Sequence, residues 1–192
     1  MITGNHDQVT LGGEEHALTA VAAANELVAV FSEPCLYRNA LWLPYRRKHE
    51  QLTAFLEECT RQDEDRTRLR AVFCHVDVQV SWQYSLLSFT LWLIALYYGK
   101  GASYNDVFQA QIGMAPSSFP KSIPTYTGHY HKPHIVPNTN IIYVGSPYQL
   151  TLAESKQEKR FLLLGSEWVS RCRYYVISSW LYLSTGLSFL YA

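Results

Sequence analysis

Short apolar runs that end in polar segments constrain the fold of this chain more than any other feature of its sequence. Residues 28–31, 40–43, 71–74, 126–127, 140–144 and 160–164 each have the composition of a buried strand. Acidic residues before an alanine-rich stretch predict a helix over residues 14–30, and apolar residues at helical spacing predict another over 46–62. Strands that alternate with helices predict an α/β fold.

Three of the polar segments combine glycine, amide, imidazole and carboxylate groups. They are residues 4–7 (GNHD), 74–77 (CHVD) and 128–131 (GHYH). The last two segments follow predicted strands, and in open α/β sheets functional sites collect at the carboxyl ends of strands. Mixed nitrogen and oxygen ligands suit Mn²⁺, Fe or Zn²⁺ better than Ca²⁺. The segments therefore predict a transition-metal site.

The order of these motifs resembles the second half of the calcineurin-like metallophosphoesterase signature. Residues 126–150 are similar to the DNA-repair exonuclease branch, in which G-H-x-H is followed by a strand and G-S-P. The resemblance covers residues 1–79 and about 101–168. It implies an α/β sandwich of two β-sheets flanked by helices, here incomplete at the N-terminus. It also implies a divalent-metal-dependent phosphoester hydrolase, a phosphodiesterase or nuclease-like enzyme whose substrate is DNA or a nucleotide.

The resemblance assigns a role to each matching side chain. In the complete family site two divalent metals (Mn, Fe, Zn or Mg) hold a bridging hydroxide, which attacks phosphorus in line. The ligands implied for the second metal are Asn5, His75 and His129, and His131 is implied as a ligand of the first metal. His6 is implied as the general acid that protonates the leaving oxygen, and Asp7 as the group that orients His6.

Two family motifs are absent from this sequence. D-x-H supplies two ligands of the first metal, and G-D-x-x-D supplies the carboxylate that bridges both metals. We therefore expect one metal or none in this chain and an impaired activity, since the attacking hydroxide depends on both ions. The alternative is a non-catalytic remnant or binding module of the same fold.

Two long uncharged runs, residues 78–99 and 174–192, stand apart from the rest of the sequence. Each is long enough to cross a bilayer, so a membrane protein anchored by these runs is a second alternative. Flanking Lys/Arg asymmetry is lacking, and a span directly after His75 would pull the predicted site apart. We instead interpret residues 80–100 as an insert within a partial domain over 1–168, and residues 169–192 as an apolar tail outside it. Both begin with Val-Ser, which a splice donor encodes in frame, and this suggests translated introns.

The resemblance implies an intracellular, soluble protein, and charge and cysteine usage add little to this expectation. Sixteen basic residues balance sixteen acidic ones, so net charge gives no reason to expect nucleic acid. Residues 46–49 (RRKH) form the one compact basic cluster, which is not a strong basic patch. The four cysteines form no C-x-x-C pair and indicate free thiols in a reducing compartment. No signal peptide is visible at the N-terminus.

Overall fold

Two β-sheets and a few helices make up the part of the chain that the computed structural model describes, which is residues 1–62, 68–79, 113–150, 154, 157–165, 168 and 173–176. The helices in these residues are α1 (Thr19–Ala24) and α2 (Glu50–Gln62), with a 3₁₀ turn at Pro116–Ser118. The strands are β1 (Cys35–Tyr37), β2 (Ala40–Leu43), β3 (Ala71–Cys74), β4 (Thr125–Thr127), β5 (His134–Ile135), β6 (Ile141–Tyr143), β7 (Arg160–Leu163) and β8 (Arg173–Val176).

The larger sheet has six strands in the order β1-β2-β3-β4-β6-β5. Strands β2, β3, β4 and β6 run parallel, and β1 and β5 pair antiparallel at the two edges. Strands β7 and β8 form a separate antiparallel pair. The predicted α/β class is therefore confirmed. Because the four central strands are parallel, their carboxyl ends lie along one edge of the sheet.

Both faces of the sheet are covered, which explains why the central strands β2 and β3 contain only hydrophobic residues. On one face, Leu52 and Leu56 of α2 pack with Leu41 and Val72 in the main core. Leu52 and Leu56 are four residues apart, so they lie on the same side of the helix. Residues Leu162, Leu164 and Trp168 pack on the opposite face. There the rings of Trp42 and Phe73 stack with centroids 4.5 Å apart.

Several predicted elements differ from those observed. Strands over 40–43 and 71–74 are confirmed with the predicted bounds, and those near 126, 141 and 160 are confirmed within one or two residues. The helix predicted over 14–30 is wrong for most of its length, because only α1 forms and Asn25 adopts an extended conformation. No residue of α1 is buried, so packing against the core does not stabilise a longer helix here.

Two further predictions need correction. The strand predicted over 28–31 is reduced to a single parallel bridge between Phe31 and Ile2. The helix predicted over 46–62 begins only at Glu50. The buried side chain of Arg46 is held by the backbone oxygen of Ser32 and the carboxylate of Glu33, which keeps this segment out of the helix.

Within the described ranges, the structure has no helix that is both long and apolar enough to cross a membrane. The predicted insert over 80–100 and most of the C-terminal run, residues 177–192, lie outside the described residues. Strand β8 begins at Arg173, extends into the second uncharged run and pairs with β7, with Phe161 opposite Tyr175. The sequence analysis did not predict this strand.

Candidate functional site

The N-terminal segment places residues 4–7 beside the carboxyl end of β2. Ile2 forms a parallel bridge with Phe31, and the backbone nitrogen of Thr3 donates to the oxygen of Phe31 at 3.3 Å. The backbone nitrogen of Tyr45, two residues past β2, donates to the oxygen of Thr3 at 2.8 Å. The G-N-H-D loop therefore starts where β2 ends.

The other two motifs follow neighbouring parallel strands. The backbone nitrogen of His75 donates to the oxygen of Leu43 at 3.2 Å, which extends the pairing of β3 with β2. The backbone nitrogen of Gly128 donates to the oxygen of Cys74 at 3.0 Å, which extends the pairing of β4 with β3. Because the strands are in register here, the side chains of His75 and His129 emerge at the same edge of the sheet.

Asn5, His75 and His129 converge at this edge. The Oδ1 atom of Asn5 lies 2.9 Å from Nε2 of His75, and the rings of His75 and His129 are 5.5 Å apart between centroids. Gly4 and Gly128 have no side chains, and this creates the space that the His75 ring occupies. A Cβ atom on Gly4 would lie 2.9 Å from Cε1 of His75, and one on Gly128 would lie 2.7 Å from its Nδ1. Any side chain at either position would collide with the imidazole.

The environment of His75 keeps its imidazole neutral. Burial and, after it, the neighbouring His129 lower the pKa of His75 to about 4, against the opposing charges of Asp7 and Asp77. A neutral imidazole has a free lone pair at physiological pH, and metal ligation requires this form.

His129 has one ring nitrogen paired and one without a partner. Its Nε2 lies 3.0 Å from Oδ1 of Asp77, while its Nδ1 is buried and has no hydrogen-bond partner within the described part of the chain. Burial raises the pKa of Asp77, but the hydrogen bond and charge of His129, together with the smaller effects of Tyr130 and His49, hold the pKa below its ordinary value. His129 also has a φ of 84°, a backbone conformation that is uncommon outside glycine and is enriched at functional sites.

His6 and Asp7 have different surroundings. His6 is exposed and lines a cleft of about 360 Å³, together with Asn5 and Tyr45. The carboxylate of Asp7 accepts a hydrogen bond from the backbone nitrogen of Gly4 at 2.7 Å, and this bond joins the two ends of the G-N-H-D loop. The orienting contact from Asp7 to His6 stays a prediction.

His131 belongs to a separate polar network. Its Nδ1 lies 2.9 Å from Oε1 of Glu154, and the other carboxylate oxygen accepts from Nζ of Lys159 at 2.7 Å. Lys159 also donates to Oγ of Ser146 at 2.8 Å and to the backbone oxygen of His131 at 3.2 Å. Glu154 and Lys159 are both buried, so this network fixes the segment that follows G-H-x-H.

The donor atoms at the sheet edge fit one metal ion better than two. Within the described ranges, no three His, Cys, Asp or Glu side chains converge as a complete metal site. The set that does converge is one amide oxygen and two imidazoles, of Asn5, His75 and His129. The 2.9 Å between Asn5 and His75 is a hydrogen-bond length, and it is also close to the separation of about 3 Å between two donors that each lie about 2.1 Å from an octahedral ion. The unpartnered Nδ1 of His129 is a further available donor.

Sequence reasoning assigned no role to Tyr45 or Asp77. The Tyr45 ring stacks on His129 with centroids 6.1 Å apart and meets His75 edge-on at 6.2 Å. Tyr45 follows the end of β2, and Asp77 follows the end of β3, so the rule that sites lie at carboxyl ends of parallel strands could have found both.

No protein-family model, curated protein or solved structure matches the chain.

Proposed function

We propose that the chain is a divalent-metal-dependent phosphoester hydrolase of the calcineurin-like metallophosphoesterase type, a phosphodiesterase or nuclease-like enzyme. The observation that supports this function best is the convergence of Asn5, His75 and His129 from three separate motifs. The Asn5–His75 contact of 2.9 Å joins the first motif to the second, and the 5.5 Å ring separation joins the second to the third.

The second sheet supports a more specific proposal for the architecture than the α/β class alone. The predicted family architecture is a sandwich of two β-sheets with flanking helices. Strands β7 and β8 form a second sheet, and Leu162 packs on the face of the large sheet that α2 leaves open. We therefore propose the metallophosphoesterase sandwich as the architecture of this chain.

We propose that Asn5, His75 and His129 hold one divalent metal ion. A divalent ion at this position would stabilise the negative charge that develops on the phosphoryl oxygens. The neutral imidazole of His75 and the amide of Asn5 bring no negative charge, so the bound ion would keep its full attraction for a phosphate. Asp77 would hold the ring of His129 through Nε2, as carboxylates commonly do for metal-binding histidines.

His6 is the group that we propose as general acid. Imidazole transfers protons effectively near neutral pH, and His6 faces the cleft next to Asn5, where a leaving oxygen would lie. Its exposure allows the proton to be replenished from solvent after each turnover.

The test is hydrolysis of bis(p-nitrophenyl) phosphate with and without Mn²⁺, for the natural chain, for His6→Ala and for the control Lys48→Ala. We expect turnover that requires Mn²⁺, a loss of about 100-fold or more in His6→Ala, and no change in the control. Mn²⁺ binding without turnover would instead identify a non-catalytic binding module. Turnover that survives His6→Ala would contradict the proposed role of this residue.

A further inference from the structure

We propose that the cleft beside His6 binds a second phosphate of the substrate through Arg47. The preferred substrate is then a nucleotide or short oligonucleotide with at least two phosphates, and a simple monoester is a poor one. This inference rests on the proposed function, because it takes the first phosphate to lie at Asn5, His75 and His129. The cleft is lined by Asn5, His6, residues 8–11, Tyr45 and Arg47.

The two adjacent arginines of the basic cluster have different environments. Arg46 is buried, and its guanidinium is bound by the backbone oxygens of Ser32 and Tyr45 and by the carboxylate of Glu33. Arg47 is exposed, and its guanidinium has no hydrogen bond or ion pair to any residue in the described part of the chain. Arg46 therefore stabilises the fold, while the guanidinium of Arg47 is available to a ligand.

The chemistry of the cleft favours a phosphate. Among the described residues that line it none is acidic, and its ionisable groups include Arg47 and His6. A guanidinium offers paired donors that match two phosphate oxygens, which makes arginine the usual partner where geometry matters. Asn5, a proposed metal ligand, lines the same cleft, so a phosphate at the metal and one at Arg47 would share a continuous surface.

The size and apolar rim of the cleft favour a nucleotide over a polyanion. A volume of about 360 Å³ is at the small end of the range for ligand pockets, about 300–1,000 Å³, and suits one nucleotide unit. Val9 and Leu11 line the cleft and are 69% and 72% exposed, although both are apolar. A nucleobase or sugar would cover these side chains, whereas inorganic phosphates would not.

Hydrogen bonds hold the wall of the cleft in place before a ligand arrives. The Nε2 atom of Gln8 donates to the backbone oxygen of Tyr45 at 2.9 Å, and the backbone nitrogen of Val9 donates to the oxygen of Glu15 at 2.9 Å. Gln8 also forms an antiparallel bridge with His16. A wall that is already ordered loses little entropy when it binds a ligand.

The experiment measures the binding of thymidine dinucleotides by calorimetry in the presence of EDTA. One dinucleotide carries a terminal 5′-phosphate, one carries a terminal 3′-phosphate, and one carries neither. We expect one phosphorylated form to bind about tenfold tighter than the unphosphorylated form, the gain typical of a charge-assisted pair. Arg47→Gln should remove this gain, and Lys48→Gln, which changes the neighbouring exposed cation, should keep it.

Two results would overturn the inference. One is equal binding of all three dinucleotides, and the other is a phosphate gain that survives Arg47→Gln. Pyrophosphate that binds as tightly as the best dinucleotide would overturn the nucleotide assignment, because Val9 and Leu11 would then contribute nothing. Since no metal is present, failure of the proposed metal site leaves this measurement unchanged, and the two proposals fail separately.

Discussion

The Oδ1 atom of Asn5 lies 2.9 Å from Nε2 of His75, although seventy residues separate them in sequence. This contact joins the loop beside β2 to the end of β3. It brings together two donor types that transition metals accept, and His129 completes the group from the end of β4.

Gly128→Ala should disrupt the site through His75. The new Cβ would lie 2.7 Å from Nδ1 of a ring that is itself packed against Gly4, so the imidazole has to move. We expect a loss of about 1–3 kcal/mol in the free energy of unfolding and weaker Mn²⁺ binding. Gly12→Ala is the matched control, because there the three atoms nearest the new Cβ belong to the side chain of Glu14, which is exposed and can rotate away at the cost of one exposed hydrogen bond from Thr10. Equal effects of the two changes in urea unfolding and metal titration would contradict this account.

Tyr143→Phe should loosen the segment that carries Asp77. The Tyr143 hydroxyl accepts from the backbone nitrogen of Val78 at 2.9 Å and donates to the backbone oxygen of Val76 at 3.1 Å. Its removal leaves the buried backbone nitrogen of Val78 without a partner, which costs about 1–3 kcal/mol, while the oxygen of Val76 keeps its longer hydrogen bond from Oγ1 of Thr127 at 3.4 Å. Urea unfolding measures this loss, and the exposed Tyr148→Phe serves as the control. An unchanged unfolding midpoint for Tyr143→Phe would show that these hydrogen bonds contribute nothing to stability.

Cys74 should resist alkylation in the folded protein. Burial raises the pKa of the Cys74 thiol to about 12, so almost no thiolate is present at pH 8. Cys35 and Cys59 are partly exposed and should react first with iodoacetamide. Peptide mass spectrometry distinguishes the three sites, and addition of urea should make Cys74 reactive. Rapid labelling of Cys74 without urea would indicate that β3 is not buried as described.

The pair of Glu154 and Lys159 should make stability fall in acid. Burial raises the pKa of Glu154, but the hydrogen bonds from Lys159 and His131 outweigh it and lower the pKa to about 2. Because the folded pKa lies below the unfolded value, the stabilisation is complete above about pH 4.5 and is lost as pH falls towards 2.

Glu154→Gln tests this pH dependence. Between pH 5 and pH 3, its urea midpoint should fall less than that of the natural chain, although it starts lower because Lys159 loses its buried partner. The exposed Glu158→Gln should behave like the natural chain. Parallel pH profiles for the natural chain and Glu154→Gln would refute the assignment.

The elements that sequence predicted well are those buried on both faces. Strands β2 and β3 are short, apolar and central, so composition alone identified their bounds. The edge strands β1 and β5 carry exposed residues such as Leu36 and Ile135, and these positions lack the alternation that marks a half-buried strand. The helix predicted over 14–30 was wrong because alanine-rich composition favours a helix locally, whereas the fold provides no surface to bury it.

Only those residues of the candidate site that lie in a recognisable sequence motif could be predicted. Asn5, His75 and His129 lie in short segments with recognisable order, and the structure brings these three together. Tyr45 and Arg47 share no motif with them and reach the site because β2 ends at that edge of the sheet. The pairing of His131 with Glu154 depends on the path of the chain after β6, which local sequence does not encode.

The most direct test of the central claim is calorimetric titration of Mn²⁺ into the natural chain, into His75→Ala and into His49→Ala. We predict one ion bound per chain, a loss of at least about tenfold in affinity for His75→Ala, and unchanged binding for His49→Ala, which removes a histidine outside the proposed ligand set. No binding to the natural chain, or equal binding by all three proteins, would contradict a metal site at Asn5, His75 and His129.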